Sequence, residues 1–231
     1  MPVRSLILLA GLLALPFLAL LPTGGAARAQ VPPSQSDIAA YSGLHAAAHK
    51  GDVRAIAKLI AAKAEVNALD GNGRTPLHVA TFAGKHAAMR ALAKGGANPR
   101  ALDKQLYDTV TIAAVADDLE TLKVALAIGG NPREITSIYV GTALIAAAHL
   151  GHDGVVRELI RAKAPLDHVN NLGWTALIEA VILGQGGPRH VATVKALVEA
   201  GARRDLADKD GVTPLEHARR RGYTEMVKLL Q

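Results

Sequence analysis

Apolar residues recur along most of the chain at the spacing of short amphipathic helices, and these helices come in pairs. In the first helix of one pair, Leu77, Ala80 and Ala83 fall on one helical face. A second segment with a stronger apolar pattern follows each first one, as at Val53, Ile56, Leu59 and Ile60, at Val155, Val156, Leu159 and Ile160, and at Val191, Val194, Leu197 and Val198. A single pair cannot bury its apolar face alone, so the pattern predicts that neighbouring pairs stack.

One recurring sequence motif marks the start of each pair. Its clearest copy runs from Gly73 to Ala80 (GRTPLHVA), and related copies begin at Gly173 (GWTALIEA) and at Gly211 (GVTPLEHA). The position of the Thr recurs at nearly even intervals, the last of them longer, at Ser42, Thr75, Asp108, Thr142, Thr175 and Thr213. A period of about 33 residues with the motif TPLH resembles the ankyrin repeat family. The resemblance covers nearly all of the chain beyond Gln30.

The resemblance implies an all-α repeat solenoid, an ankyrin-repeat stack of helix-turn-helix units joined by β-hairpin-like loops. About six repeats fit between residues 37 and 231. The local chemistry agrees, because Thr75 can cap a helix and Pro76 is tolerated in its first turn. Gly84 should end that helix in the left-handed conformation. The same place in other copies is held by Gly51, Gly151, Gly184 and Gly222.

Several copies depart from the pattern. The third copy has Asp108 at the position of the Thr and Asp117 where a Gly ends the first helix elsewhere. Lys63 and Lys163 replace the Gly that usually follows the second helix, so both positions should be slightly strained or should use another cap. The fifth copy carries an insertion within residues 185–190 (QGGPRH). Its glycines and basic ends suit an anion, but we favour a plain extension of the loop between the two helices.

The start of the chain, residues 1–29, has the pattern of a signal peptide. Arg4 precedes a run from Leu6 to Leu21 without a charged or polar side chain, and an Ala-x-Ala site ends at Ala29. We therefore predict a signal peptide over 1–29, an extended linker over 30–36 and an ankyrin-repeat domain over 37–231. The alternative is an uncleaved membrane anchor, but that run is shorter than the stretch of about 20 apolar residues in a spanning helix.

Composition and charge narrow the function further. Cysteine is absent, which excludes disulfides, cysteine nucleophiles and thiolate metal sites. The net charge of +6 is scattered and lacks a nucleic-acid recognition motif, so we expect no nucleic-acid partner. Aromatic residues make up only 3% of the chain, so the core must consist mainly of Ala, Leu, Val and Ile.

Few residues are candidates for chemistry. His45 and His49 have a spacing that can chelate zinc, but no third ligand is near them in sequence. The resemblance implies a structural role for His45 and His78, whose rings would hydrogen-bond between neighbouring loops. A motif for a nucleophile is missing, and a stacked repeat offers a shallow face rather than an enclosed pocket. We expect no enzyme activity, no cofactor and no metal site.

The resemblance also implies where a partner protein would bind, namely on the loop tips and on the exposed side of the first helices, the concave face. The residue before each Thr position is expected on a tip, and aromatic or arginine side chains there would make binding hot spots. The predicted partner-binding residues are Tyr41, Arg74, Tyr107, Tyr139 and Trp174. We expect a monomeric interaction module or scaffold in the bacterial cell envelope, periplasmic and without stable membrane insertion after cleavage. The alternative is a secreted factor that binds host proteins.

Overall fold

The computed structural model describes residues 30–231, so the predicted signal peptide lies outside the described residues. Within them the chain forms thirteen α-helices and no strand. Their bounds are α1 Gln35–Ala40, α2 Gly43–Lys50, α3 Val53–Ala61, α4 Pro76–Phe82, α5 His86–Lys94, α6 Thr109–Val115, α7 Leu119–Ala127, α8 Ala143–Leu150, α9 Asp153–Arg161, α10 Ala176–Ile182, α11 Pro188–Glu199, α12 Pro214–Arg220 and α13 Thr224–Leu230.

Helices α2 to α13 form six antiparallel pairs that stack in two layers. The first helices pack in the order α2, α4, α6, α8, α10 and α12, and the second helices pack beside them in the order α3, α5, α7, α9, α11 and α13. Each helix also packs against its partner in the pair. The predicted all-α repeat solenoid is confirmed, and each pair completes the burial of its apolar surface through its neighbours.

The first helices begin where the repeated phrase predicts. The Thr75 hydroxyl accepts a hydrogen bond from the His78 N–H, and Pro76 is the first helical residue. Thr142, Thr175 and Thr213 cap their helices in the same way. The caps satisfy backbone N–H groups that have no partner inside a helix, so local sequence sets the start of these four pairs. Ser42 stands at the same position before α2 but makes no such hydrogen bond through its side chain.

The core consists of small and aliphatic side chains. Its largest fully buried members are leucine, isoleucine and methionine, including Leu77, Leu144 and Leu177. Buried alanines such as Ala80, Ala148 and Ala180 lie between them, which lets neighbouring helices approach closely. The aliphatic core predicted from the low aromatic content is therefore present in the part of the chain that the structure describes.

The ends of the helices follow the predicted pattern at most positions. Asp117, Lys63 and Lys163 all adopt the left-handed conformation, with φ of 56°, 63° and 67°, so these positions are strained as expected. The prediction for Gly184 is wrong, because its φ is not positive. A Cβ there would lie 2.2 Å from the Ala180 carbonyl oxygen and 2.7 Å from the His190 ring. Close packing, not left-handed geometry, explains the glycine.

The segment before the first pair is only partly extended. Residues 30–34 have no helical structure, but α1 begins at Gln35, inside the predicted linker. Ser34 and Asp37 form a capping box, in which each side chain bonds to the other residue's backbone N–H. That motif explains the short helix, since it satisfies two N–H groups at once.

Candidate protein-binding surface

Four of the five loops between repeats are closed by one hydrogen-bond pattern. In the first of them, the Asp70 N–H donates to the Arg74 carbonyl at 2.9 Å, and Asp70 Oδ1 accepts from the N–H groups of Asn72 and Arg74, each at 2.8 Å. The loops that begin at Asp103, Asn170 and Asp208 repeat this arrangement. The turn therefore lies near residues 71–72, and the residue before the Thr position closes the base of the loop.

This geometry corrects the prediction for Arg74, whose side chain is only 4% exposed. Its guanidinium pairs with Asp37 at 3.3 Å and with Asp70 at 3.7 Å, and it lies 5.6 Å above the centre of the Phe82 ring. Because Arg74 closes the base of its loop, its side chain points into the stack instead of projecting from the tip. It is not a free surface residue.

Tyr41 is half-buried and does not lie on a loop between repeats. It follows α1, stacks on His45 and donates its hydroxyl hydrogen to Asp70 Oδ2 at 2.9 Å. Burial and the bond to Asp70 raise the pKa of Tyr41 to about 12. These contacts fasten the start of the first repeat to the next loop, which is a structural role.

The other three predicted residues lie on the loops, all of them half-buried. Tyr107 and Trp174 close the bases of their loops, and Tyr139 lies in the loop between them. Burial, together with the charge of Asp103 and the nearby Tyr139, raises the pKa of Tyr107. The structure thus brings Tyr107 and Tyr139 close together and places Trp174 one repeat further along the same edge.

The loops also carry a row of exposed aliphatic side chains that the sequence-based prediction missed. Of the twelve large hydrophobic residues that are exposed among residues 30–231, eight lie on these loops, with Leu69 at 65% and Ile138 at 59%. We call this row the hairpin ridge; its members are Leu69, Leu102, Leu106, Ile135, Ile138, Val140, Val169 and Leu172. A signal was present, because an aliphatic residue six or seven positions before the Thr position recurs at Leu69, Leu102, Ile135 and Val169.

Hydrogen bonds between neighbouring loops hold the hairpin ridge together. The N–H of Lys104 donates to the Asn72 carbonyl, that of Ser137 to Leu106 and that of Asn171 to Tyr139, at 3.1, 2.9 and 3.0 Å. Lys209 Nζ reaches back to the Asn171 carbonyl at 2.6 Å. The exposed side chains therefore stand on a connected backbone, which lowers the entropy lost when a partner binds.

The loop of the fourth repeat is the most strained of the row; the loop before it has one non-glycine residue in the left-handed conformation, Leu106, with φ of 63°. The loop of the fourth repeat lacks the Asp or Asn of the other loops, and Ser137 and Val140 both have positive φ, 65° and 56°. For a β-branched residue such as Val140 this backbone is a clear outlier. Strain of this kind is concentrated at functional sites in proteins, and this loop also presents Ile135 and Ile138.

Comparison with known proteins places this architecture in a family. The family description "Ankyrin repeats (many copies)" matches residues 44–93, and "Ankyrin repeats (3 copies)" matches residues 110–202. An ankyrin repeat domain from Acinetobacter baumannii AYE is 44% identical, with a TM-score of 0.76, over 81% of this chain and 95% of that one. The chain belongs to the ankyrin repeat family.

Two further relatives agree with that assignment. The crystal structure of the ankyrin repeat protein EF0377 is 30% identical, with a TM-score of 0.74, and the match covers 82% of this chain and 98% of that one. The ankyrin repeat protein YahD of Escherichia coli (strain K12) is 44% identical over 81 residues, which are 35% of this chain and 40% of the relative. The chain thus matches less than half the length of that curated relative.

In this ankyrin repeat protein the motif histidines join neighbouring repeats. His45 Nε2 lies 2.9 Å from the Arg74 carbonyl, and His78 Nε2 lies 2.9 Å from the carbonyl of Ala101 and 3.2 Å from that of Tyr107. His78 Nδ1 accepts from the Thr75 N–H at 3.0 Å, so Nε2 carries the proton. Burial lowers the pKa of His78, which keeps the ring neutral. The structural role implied by the resemblance accounts for both rings.

Neither a metal site nor an anion site in the insertion gains support from the structure. Residues 30–231 contain no group of three or more histidine, cysteine, aspartate or glutamate side chains arranged to hold a metal, and no helix there is long and apolar enough to cross a membrane. The favoured prediction of a plain loop extension is wrong for half of the insertion, because Pro188, Arg189 and His190 form the first turn of α11. Arg189 pairs with Asp117 at 2.8 Å and with Asp153 at 3.2 Å, so carboxylates already satisfy the cation that an anion would need.

Proposed function

We propose that this ankyrin repeat protein binds a partner protein through the hairpin ridge and the adjoining exposed side of the first helices, and that it has no catalytic role. The ankyrin repeat fold is that of a protein–protein interaction module. The observation that carries the proposal is the concentration of exposed aliphatic side chains on the loops. Soluble monomers seldom keep so many large apolar side chains exposed along one edge unless another molecule covers them.

The chemistry of the ridge defines the partner surface. Its aliphatic side chains need apolar partners. Tyr107 and Trp174 at the bases of their loops, and Tyr139 within the loop between them, add half-buried rings of the types that dominate binding hot spots. Arg74 and Tyr41 are left out, because their polar groups are engaged within the chain. The partner should therefore present an apolar strip that reaches across four consecutive loops.

The predicted signal peptide locates the proposed function in the cell envelope, with the periplasm favoured over secretion towards host proteins. The exported protein should begin at Gln30, because the Ala-x-Ala site ends at Ala29. Intact-mass measurement of the protein from the periplasmic fraction and from the culture medium tests both points. A full-length chain that needs detergent would favour the membrane anchor instead.

A double substitution on the ridge tests the binding surface. Leu106→Asp with Ile138→Asp places two charges in the proposed interface, and these charges would be desolvated without partners on binding. We expect this change to weaken binding more than about tenfold. The measurement is quantitative capture from an envelope extract with the wild-type protein as bait, followed by a binding titration with the captured partner.

The matched control is Val53→Asp, which alters an exposed aliphatic residue at the start of α3, away from the loops. Helix starts accept aspartate well, so this variant should keep both its fold and the partner. Circular dichroism should be the same for all three proteins. Recovery of the same partner in equal amounts by the ridge variant would show that the binding site lies elsewhere.

A further inference from the structure

The segment before the first repeat lies across the first repeats and holds to their polar groups. We call residues 30–40 the N-terminal arm. Arg74 Nη2 donates to the Val31 carbonyl at 2.8 Å, and the Val31 N–H donates to Gln105 Oε1 at 3.3 Å. Asp37 pairs with Arg74 Nη1 at 3.3 Å. The arm thus spans two loops, from the one that ends at Arg74 to the one that contains Gln105.

The arm is held weakly. Helix α1 has only six residues, none of them buried, and Val31 is 52% exposed. A helix this short is not stable in water by itself, and the contacts that hold it are hydrogen bonds and one ion pair, in which Arg74 is buried and Asp37 is partly exposed. Segments with few buried apolar contacts open locally at small cost in free energy. The arm can therefore detach while the stack stays folded.

The surface beneath the arm has a defined chemistry. An open cavity separates the arm from α2 and α4, with Pro32, Pro33 and Ile38 on one side and His49, Val79 and Phe82 on the other. Arg74 lies over the Phe82 ring that lines this cavity, and its buried Nε has no hydrogen-bond partner among residues 30–231. This surface beneath the arm, which we call the floor, therefore combines apolar side chains with a guanidinium that can donate to a carbonyl and to a carboxylate.

We propose that this floor is a recognition site for an extended, proline-containing segment of another protein that ends in an acidic helical turn, and that the N-terminal arm occupies it as a competitor in the same chain. Extended proline segments suit such a site because their conformation is already ordered and proline has no N–H that needs a partner. Arg74 pairs with the carboxylate of the segment, and Gln105 accepts a hydrogen bond from its backbone N–H, as they do with the arm. The inference is independent of the hairpin ridge.

A tethered competitor acts at a high effective concentration, so releasing the arm should expose the site to a free peptide. The probe is a fluorescein-labelled peptide with the sequence of residues 30–40 (QVPPSQSDIAA), and the measurement is fluorescence anisotropy. Asp37→Asn removes the ion pair that fastens the arm to Arg74. We expect the Asp37→Asn protein to bind the probe at least about fivefold more tightly than the wild type.

Three further variants serve as controls for the probe-binding measurement. Asp205→Asn makes the same charge change at an exposed ion pair far along the stack and should bind the probe as the wild type does. Gln105→Ala, combined with Asp37→Asn, should weaken the probe's binding without disturbing the core, because Gln105 is only half-buried. Ile138→Asp, added to Asp37→Asn, should leave probe binding unchanged, because Ile138 is an exposed member of the ridge on a loop without an arm contact, which separates this site from the ridge.

Hydrogen exchange of the amides in residues 31–40 completes the test. Faster exchange in Asp37→Asn, together with tighter probe binding, is the expected result. Equal probe binding by the wild type and Asp37→Asn would overturn the proposal. Unchanged exchange in the arm would also overturn it, since the carboxylate would then not be a recognition contact.

Discussion

The second and third repeats begin their first helices in the same geometry but with different chemistry. In the second repeat the neutral pair Thr75 and His78 forms the capping box, and His78 continues to the next loop. In the third repeat Asp108 takes the place of the Thr, and its Oδ1 accepts from the Thr111 N–H at 2.8 Å. Thr111 then reaches Thr136 through a hydroxyl–hydroxyl bond of 3.0 Å. Both repeats bridge to the following loop.

The difference lies in the cost of burial. Asp108 is fully buried, and its Oδ2 has no hydrogen-bond partner within the described part of the chain. Burial raises the pKa of Asp108 to about 6, against the lowering effect of its bonds to Thr111. A neutral cap fits the stack at no electrostatic cost, whereas a carboxylate in the same place makes the third repeat sensitive to pH. The same backbone can therefore hold repeats of unequal stability.

The largest expected effect on stability comes from truncating a buried core side chain in either repeat. Leu77 and Val110 occupy the same position, two residues after the helix cap, and both are buried. Leu77→Ala should cost about 2–5 kcal/mol of unfolding free energy, and Val110→Ala about 2 kcal/mol, because valine loses fewer methylene equivalents. Urea titration followed by circular dichroism measures both. A larger loss from Val110→Ala would mean that the third repeat packs more tightly than the second.

The intermediate effect concerns the charge of Asp108. Because its folded-state pKa lies above the ordinary value of 3.8, its contribution to stability is complete below pH 3.8 and is lost as the pH rises through about 6. Asp108→Asn keeps the cap without the charge, since asparagine caps helices as well as aspartate does. It should raise the unfolding free energy by roughly 1–3 kcal/mol at pH 7.5 and by little at pH 4.

Asp118 is the matched control for this titration. It caps α7 in the same repeat. Burial raises the pKa of Asp118, but hydrogen bonds from the Thr121 side chain and backbone lower it more. The net pKa of Asp118 therefore lies below the ordinary value. Its contribution to stability is therefore present above its unfolded-state pKa and is lost as the pH falls through the lower folded-state pKa. Asp118→Asn should destabilise the protein at pH 7.5. Equal effects of the two variants at that pH would show that burial of Asp108 is unimportant.

The smallest expected effect comes from breaking the ion pair that connects the fifth and third repeats. Arg189 in the lengthened α11 pairs with Asp117, the left-handed residue that ends α6. Both side chains are partly exposed, so a double-mutant cycle of Arg189→Ala and Asp117→Gly should give a coupling energy of about 0.5 kcal/mol that weakens in high salt. Thermal unfolding at low and high salt measures it. A coupling that does not respond to salt would point to packing rather than charge.

Local sequence determined much of this protein. The regular repeat period, the Thr caps and the apolar spacing predict the stack, because each cap and each apolar face depends only on residues a few positions apart. The left-handed positions of Lys63, Asp117 and Lys163 were also predictable, since the period places them where glycine ends a helix in other repeats. The aliphatic row on the loops was visible in the same way, as a recurrence before four of the six Thr positions.

Only the tertiary structure decided where individual side chains lie. Arg74 has the register of a loop residue, but Asp37 of the arm, Asp70 of its own loop and Phe82 at the end of α4 surround its side chain. Gly184 has the register of a left-handed cap, but the insertion brings the His190 ring against it. The physical reason is the same in both cases. A repeat fixes the path of its own backbone, whereas the burial of a side chain depends on neighbouring repeats and on segments outside the period.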